Sequence, residues 1–265
     1  MKNIIIILLA SSLFLFSCEE VIEIEVNEAD IQLVIEGDIS NENRIHKVKL
    51  SQTGSYFDPG DFPKIEGAEV TLTTSAGQSE TLNDIGEGVY QIENIVGEIG
   101  ESYTLSVAYE GETFEAISTL PEAVPLSGLF FRNRPAGPFG EDGSIIEVKF
   151  RDPEGIPTYM IFELYVNDTL VEGLFLYDDA QSDGAEFNFP LFPYIAQSGD
   201  KVRVRASAMD REVYDYFNTL AEIIGTGFGG GGGSAAPANP ESNFSPFALG
   251  YFGAFAVSEV EGVVP

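Results

Sequence analysis

Few residues in this chain have the types and spacing that chemistry needs. Cys18 is the one cysteine, and it directly follows an apolar run over residues 4–16 with Lys2 in front. A short basic start, a short apolar stretch and a small residue before a cleavage point make a secretory signal. With cysteine at the cut, the string Leu15-Phe16-Ser17-Cys18 resembles a bacterial lipobox. The chemistry there is acylation: the thiol takes a diacylglycerol, the chain is cut before the cysteine, and the new N-terminus is acylated. The run is too short to span a bilayer, which takes about 20 apolar residues. A plain secretory signal and a buried N-terminal helix are the alternatives. The expectation is a signal peptide over residues 1–17 and membrane attachment through lipid on Cys18. Each buried methylene of that lipid adds ~0.8 kcal/mol, and several acyl chains hold where one holds only marginally.

The other reactive types are sparse. His46 is the one histidine, beside Arg44 and Lys47 in a polar stretch that leads into a strand. It reads as a surface residue rather than a catalytic base, and no Gly-x-Ser-x-Gly elbow surrounds any serine. Zinc takes nitrogen and sulfur ligands, which this chain mostly lacks. Paired carboxylates could cleave a glycosidic bond. Among 43 acidic residues, however, some pair falls at a suitable distance in any fold. The stretch Asp178-Asp179-Ala180-Gln181-Ser182-Asp183-Gly184 is rich in the oxygen ligands calcium takes. Its spacing is not that of an EF-hand loop, and the turn preference of Asp and Gly accounts for it. Five successive glycines over residues 229–233 are not followed by Lys-Ser or Lys-Thr, so they are no phosphate loop. The expectation is no catalytic residue, no metal and no cofactor. One hint of binding is aromatic: Tyr56, Phe57 and Phe62 fall in a turn-rich loop over residues 54–63. Exposed rings form contact patches because they bury large area. The alternative is that these rings fold back onto the body.

Charge narrows the partners. The chain has 13 Lys+Arg against 43 Asp+Glu, a formal net charge of −30. Such a body repels nucleic acid, whose binding rests on Lys and Arg displacing counterions. A hydrophobic content of 44%, with 20 Phe and 11 Tyr, is too high for an acidic disordered chain. With Cys18 acylated no disulfide can form, so stability must come from apolar burial.

The elements that would position these residues are mostly strands. Ile31, Leu33 and Ile35 alternate with polar or outward partners, as do Val48 and Leu50, Val70 and Leu72, and Tyr103, Leu105 and Val107. Period-two alternation sends one face inward. Turn signals fall between these runs at Ala76-Gly77, Gly86-Glu87-Gly88, residues 97–100 and Glu110-Gly111. This spacing predicts an antiparallel β-sandwich over residues 30–120, after an acidic tether over residues 18–29. The segments Gly67-Ala68-Glu69-Val70-Thr71-Leu72, Gly88-Val89-Tyr90 and Gly100-Glu101-Ser102-Tyr103-Thr104-Leu105 resemble transthyretin-like and carboxypeptidase-regulatory modules, so the expected sandwich is Ig-like or transthyretin-like. Pro121-Glu122-Ala123-Val124-Pro125 reads as a linker, since two prolines favour extended backbone. A second β-rich domain then covers residues 126–265, with strands expected at 126–131, 144–151, 158–167, 174–177, 186–192 and 201–208. One helix is expected over residues 210–224, capped by Asp210, stapled by Met209 and Tyr214, and apolar along Val213, Phe217, Leu220 and Ile224. A glycine-rich loop over residues 225–242 precedes a last strand over residues 248–257.

Six stretches carry a further likeness: the lipobox at Cys18, Leu33-Val34-Ile35-Glu36-Gly37, Val48-Lys49-Leu50-Ser51, Gly67-Ala68-Glu69-Val70-Thr71-Leu72, Tyr214-Asp215-Tyr216-Phe217 and Ala248-Leu249-Gly250-Tyr251-Phe252-Gly253-Ala254-Phe255. Together, in this order, they resemble one family of Bacteroidetes outer-membrane lipoproteins, domain of unknown function 4249. Acidic residues just past the cysteine, here Glu19 and Glu20, resemble the surface-export signal of such lipoproteins. Members are often encoded beside TonB-dependent transporters. The resemblance implies a non-enzymatic accessory or ligand-binding partner of such a transporter in nutrient uptake, facing the cell exterior. A free-standing adhesion or matrix module and a glycoside hydrolase are the rival readings.

Overall fold

The computed structural model describes residues 31–54, 60, 62–137, 142–180, 183–225 and 239–265. The expected signal peptide, the tether with Cys18, the rings of Tyr56 and Phe57, and the five glycines lie outside the described residues. The chain is mainly β, with its sheets stacked as sandwiches. The N-terminal half carries β1 (Leu33–Ser40), β2 (His46–Gln52), β3 (Glu69–Thr74), β4 (Ser79–Thr81), β5 (Asn83–Asp84), β6 (Val89–Ile92), β7 (Ser102–Tyr109) and β8 (Glu112–Thr119). The C-terminal half carries β9 (Leu126–Arg134), β10 (Gly143–Arg151), β11 (Tyr159–Val166), β12 (Thr169–Asp178), β13 (Glu186–Pro190) and β14 (Lys201–Met209). Helix α1 (Arg211–Ile223) and β15 (Leu249–Val263) complete it.

Alternation in sequence becomes burial in space. Ile35 and Ile39 of β1, Val48 and Leu50 of β2, and Tyr90 and Ile92 of β6 face Val70 and Leu72 of β3 and Leu105 and Val107 of β7 in one core. In the C-terminal half Phe162 of β11 stacks on Phe189 of β13, with ring centroids 5.0 Å apart. Phe150 of β10 meets Tyr177 of β12 edge-on at 4.9 Å. Such offset and edge contacts add about 0.5–1.5 kcal/mol beyond burial.

The two halves do not close separately. One eight-stranded sheet runs β12-β11-β14-β15-β1-β2-β6-β5 through both, and Ile31–Pro265 form one compact unit. The join is β15, fifteen residues long where a shorter strand over 248–257 was expected. Its first part pairs parallel with β1, from Val34↔Leu249 to Ser40↔Phe255. Its second part pairs antiparallel with β14, from Ala208↔Ala256 to Lys201↔Val263. Where the strand changes partners, side chains satisfy its backbone. Asn243 brackets Phe252, accepting from its N–H at 3.1 Å and donating to its carbonyl at 2.8 Å. Ser118 Oγ accepts from the Ala254 N–H at 2.8 Å, and Asn41 Oδ1 from the Val257 N–H at 2.9 Å. Buried backbone groups left unpaired would cost stability, so these side chains make the crossover possible. The stretch expected as a linker over residues 121–125 is packed: Val124 is buried and its carbonyl accepts from Ser258 Oγ at 2.7 Å.

Helix α1 forms as its sequence predicts. Asp210 caps it, accepting from the Val213 N–H at 3.1 Å, and Gly225 takes a φ of +76° just past the end. Met209 and Tyr214 lie in one cluster with Val213 and Phe255. The inward face differs from expectation at its C-terminal end. Ala221 is buried and Ile224 is exposed, so the apolar face read from the sequence does not continue inward to the end of the helix. The close approach of α1 to β15 depends on Gly253, where a Cβ would come 3.1 Å from Val213 Cγ1 and 2.6 Å from the Phe255 ring.

Candidate functional site

Outward-facing positions of β1, β2 and β15 build a groove of about 440 Å³. The pleat that sends Ile35, Val48 and Leu50 inward sends Glu36, Asp38, Lys47 and Lys49 outward. Glu36 is registered opposite Lys49 on one side and Tyr251 on the other. Arg44 and Ile45 of the β1–β2 connection also line it. Beside the groove, Tyr251 packs against Tyr216 and Phe217 of α1, with centroids 4.8 and 4.9 Å apart. Burial raises the Tyr251 phenol and the charges of Asp38 and Glu36 raise it further, so its hydroxyl keeps its proton. Burial, then the charge of Glu36, does the same to Tyr216.

A charge network anchors the rim. Burial works against the ionised carboxylate of Asp38, but His46 and Arg44 outweigh it and hold the group below the ordinary range. Arg44 pairs with Asp38, and its Nε lies 3.2 Å from Glu42 Oε2. Arg205 of β14 reaches Glu42 Oε2 and Glu163 Oε2, each at 2.6 Å. Burial alone would lower the Arg205 guanidinium, but Glu163 and Glu42 push it up. This fork ties the β1–β2 connection to the C-terminal half. By contrast Lys47 and Lys49 make no ion pair among the described residues. In a chain of net charge −30, two unpaired lysines on one strand face are a place for an anionic group. Glu36 beside them suits a cationic one, so the groove can read a ligand or partner that carries both signs.

The structure places the sequence-predicted residues unevenly. His46 is fully buried, not a surface residue, with Nδ1 3.3 Å from Asp38 Oδ2 and Nε2 3.3 Å from the Glu42 carbonyl. The signal was present: His46 shares its phase with Val48 and Leu50. Phe62 is 53% exposed and immediately precedes Pro63, whose carbonyl accepts from the Gln52 N–H at the end of β2. Strand β2 thus carries the lysines along its face and has Phe62 near its end. From the oxygen-rich stretch, Asp179 and Asp183, which follow β12, meet Asp152 from beyond β10. A second groove, of about 370 Å³, is lined by Pro125, Ser127, Lys149, Arg151 and Glu186, and the Lys149–Glu186 ion pair lies within it.

Residues 19–261 match the model of a family described as a domain of unknown function (DUF4249). No curated protein matches the chain. Among solved structures, the selenomethionine-substituted chicken interferon gamma receptor alpha chain is similar over 67% of this chain and 88% of its own, at 10% identity and a TM-score of 0.20. At that score the likeness carries no argument.

Proposed function

The chain belongs to the DUF4249 family, and from that premise we propose a lipid-anchored, non-enzymatic accessory protein of the outer membrane. It faces the cell exterior and binds a ligand or a TonB-dependent transporter in nutrient uptake. One observation carries the reading: the family match begins at residue 19, immediately after Cys18. The family module therefore starts where a lipobox would leave the acylated terminus. The site supports binding in preference to catalysis. Its one imidazole is buried under the rim, while the groove offers unpaired lysines, an acid and a phenol on an open face. Tethering raises the local concentration of a weak contact, so a shallow groove suffices for a partner in the same membrane.

The test is Cys18→Ala in the native host. Wild-type protein should fractionate with outer membranes and bring a transporter with it on affinity purification. The variant should remain an uncleaved precursor or leave the outer-membrane fraction, and lose the transporter. Outer-membrane retention by Cys18→Ala defeats the anchor. Wild-type protein that is anchored but captures no transporter defeats the partnership and favours the adhesion module.

A further inference from the structure

Three carboxylates converge where the chain leaves β10 and where β12 connects to β13. One oxygen from each of Asp152, Asp179 and Asp183 lies within 4.8 Å of the other two. Asp152 is 1% exposed. Its Oδ2 accepts from the Gly184 N–H at 3.1 Å, and its backbone N–H donates to the Ala185 carbonyl at 2.9 Å. The connection that carries the other two acids therefore fixes its side chain. Its Oδ1 has no hydrogen-bond partner among the described residues. Asp183 is held in turn, with Oδ1 accepting from the Gly155 N–H at 2.6 Å. Gly155 and Asp152 belong to the same connection, so each side of the cluster positions the other.

An unpartnered buried acceptor is rare in folded proteins. A carboxylate in that position is costlier still, and two further carboxylates close by add repulsion in place of relief. A cation among them reverses every one of these terms. We propose that Asp152, Asp179 and Asp183 form a binding site for a divalent cation of the calcium class. The donor set is all oxygen, which suits a hard cation and not zinc. Calcium holds its ligands at about 2.3–2.6 Å, so ligands on opposite sides of one ion stand about 5 Å apart. The three oxygens fall inside that span. Magnesium is smaller, demands a near-ideal octahedron and is usually held by one or two carboxylates with several waters, so three converging acids favour the larger ion. Asp179 is half-buried and Asp183 exposed, which leaves a side open for the water ligands that complete the shell. The ion would clamp the β12–β13 connection to the end of β10. The start of that connection is already held by α1, where the Tyr214 hydroxyl donates to Asp178 Oδ2 at 3.2 Å.

The experiment is a set of thermal melts on the full-length chain, in chelator, in about 5 mM calcium and in about 5 mM magnesium. Isothermal titration with calcium runs beside them. Calcium should raise the wild-type midpoint by roughly 3–8 °C over chelator, as expected for a site of sub-millimolar affinity in a chain of this size. Asp152→Asn should lose that rise and the calorimetric heat. In chelator its midpoint should equal or exceed the wild type, because the amide can donate to the remaining acids. Asp183→Asn changes an exposed residue and should lose most of the calcium response as well, so the site stays testable if Asp152→Asn fails to fold. No calcium shift in the wild type overturns the proposal. So does an equal shift in wild type and variants, which would mean general screening of the acidic surface. An equal magnesium shift overturns the assignment to the calcium class.

Discussion

Asp38 and Glu42 show how single residues hold the rim of the groove. Burial disfavours the ionised form of Asp38, yet His46 and Arg44 prevail and its carboxyl sits low. Glu42 follows the same balance, with burial opposed by Arg205. A carboxyl whose folded pKa lies below its unfolded one adds stability that is complete above the unfolded pKa and is lost as pH falls through the folded pKa. Both residues should therefore hold their contribution from neutrality down to about pH 4 and lose it below. Asp38→Asn should melt lower than wild type at pH 7, and the gap should narrow as pH falls below about 4. Melts at a series of pH values check this, and a gap that stays constant would mean that the ionised carboxylate is not what stabilises the rim. At the same scale, Lys47 and Lys49 matter because they make no ion pair among the described residues, whereas Arg44 and Arg205 are already committed to neighbours.

Among elements, α1 does more than cover a sheet. Its cap, Asp210, also accepts from Ser118 Oγ at 2.5 Å and from the Thr119 N–H at 3.0 Å, both on β8. Ser118 Oγ in turn accepts from Ala254 on β15. One carboxylate thus serves a helix start, a strand end and, through a serine, the long central strand. Losing a cap costs about 1 kcal/mol, and leaving a buried hydroxyl without its acceptor costs about 1–3 more. Asp210→Ala should lower stability by about 2–4 kcal/mol in denaturant titration. Asp210→Asn keeps one acceptor for Val213 but only one, so it should recover about 1 kcal/mol of that loss. If alanine and asparagine behave alike, the contacts to β8 dominate and the cap is minor.

For the molecule as a whole, β15 decides whether there are two bodies or one. Its first half completes the sheet beside β1, and its second half completes the sheet beside β14. Gly250 permits the parallel approach: its φ is +92°, and a Cβ there would come 2.0 Å from the Ile35 carbonyl oxygen. A fragment of residues 18–125 lacks this strand and exposes the edge of β1. It should show no cooperative melt alone, and should regain one when co-expressed with residues 126–265. Cooperative unfolding of the isolated fragment would mean that the N-terminal half is complete without β15.

Composition and local pattern determined much of this protein. The alternation in β2, β3 and β7, the paired turn residues at Glu110-Gly111, and Asp210 ahead of an apolar helical face each encode their element within a few residues. That is why the β class, most strands and the helix were legible. The turn at Asn167-Asp168, with φ of +50° and +63°, carried its own local signal and lengthens β12 beyond the run read from apolar residues. Only the tertiary structure decided the rest. Nothing near Leu249 in the sequence says that its neighbour is Val34, nor does Arg205 announce Glu42. Asp152 looked like one acid among 43 until folding buried it against Asp179 and Asp183. Strand partners, ion-pair forks and ligand clusters depend on distances between residues far apart in the chain. A periodic pattern fixes which face a side chain takes, but not what stands opposite.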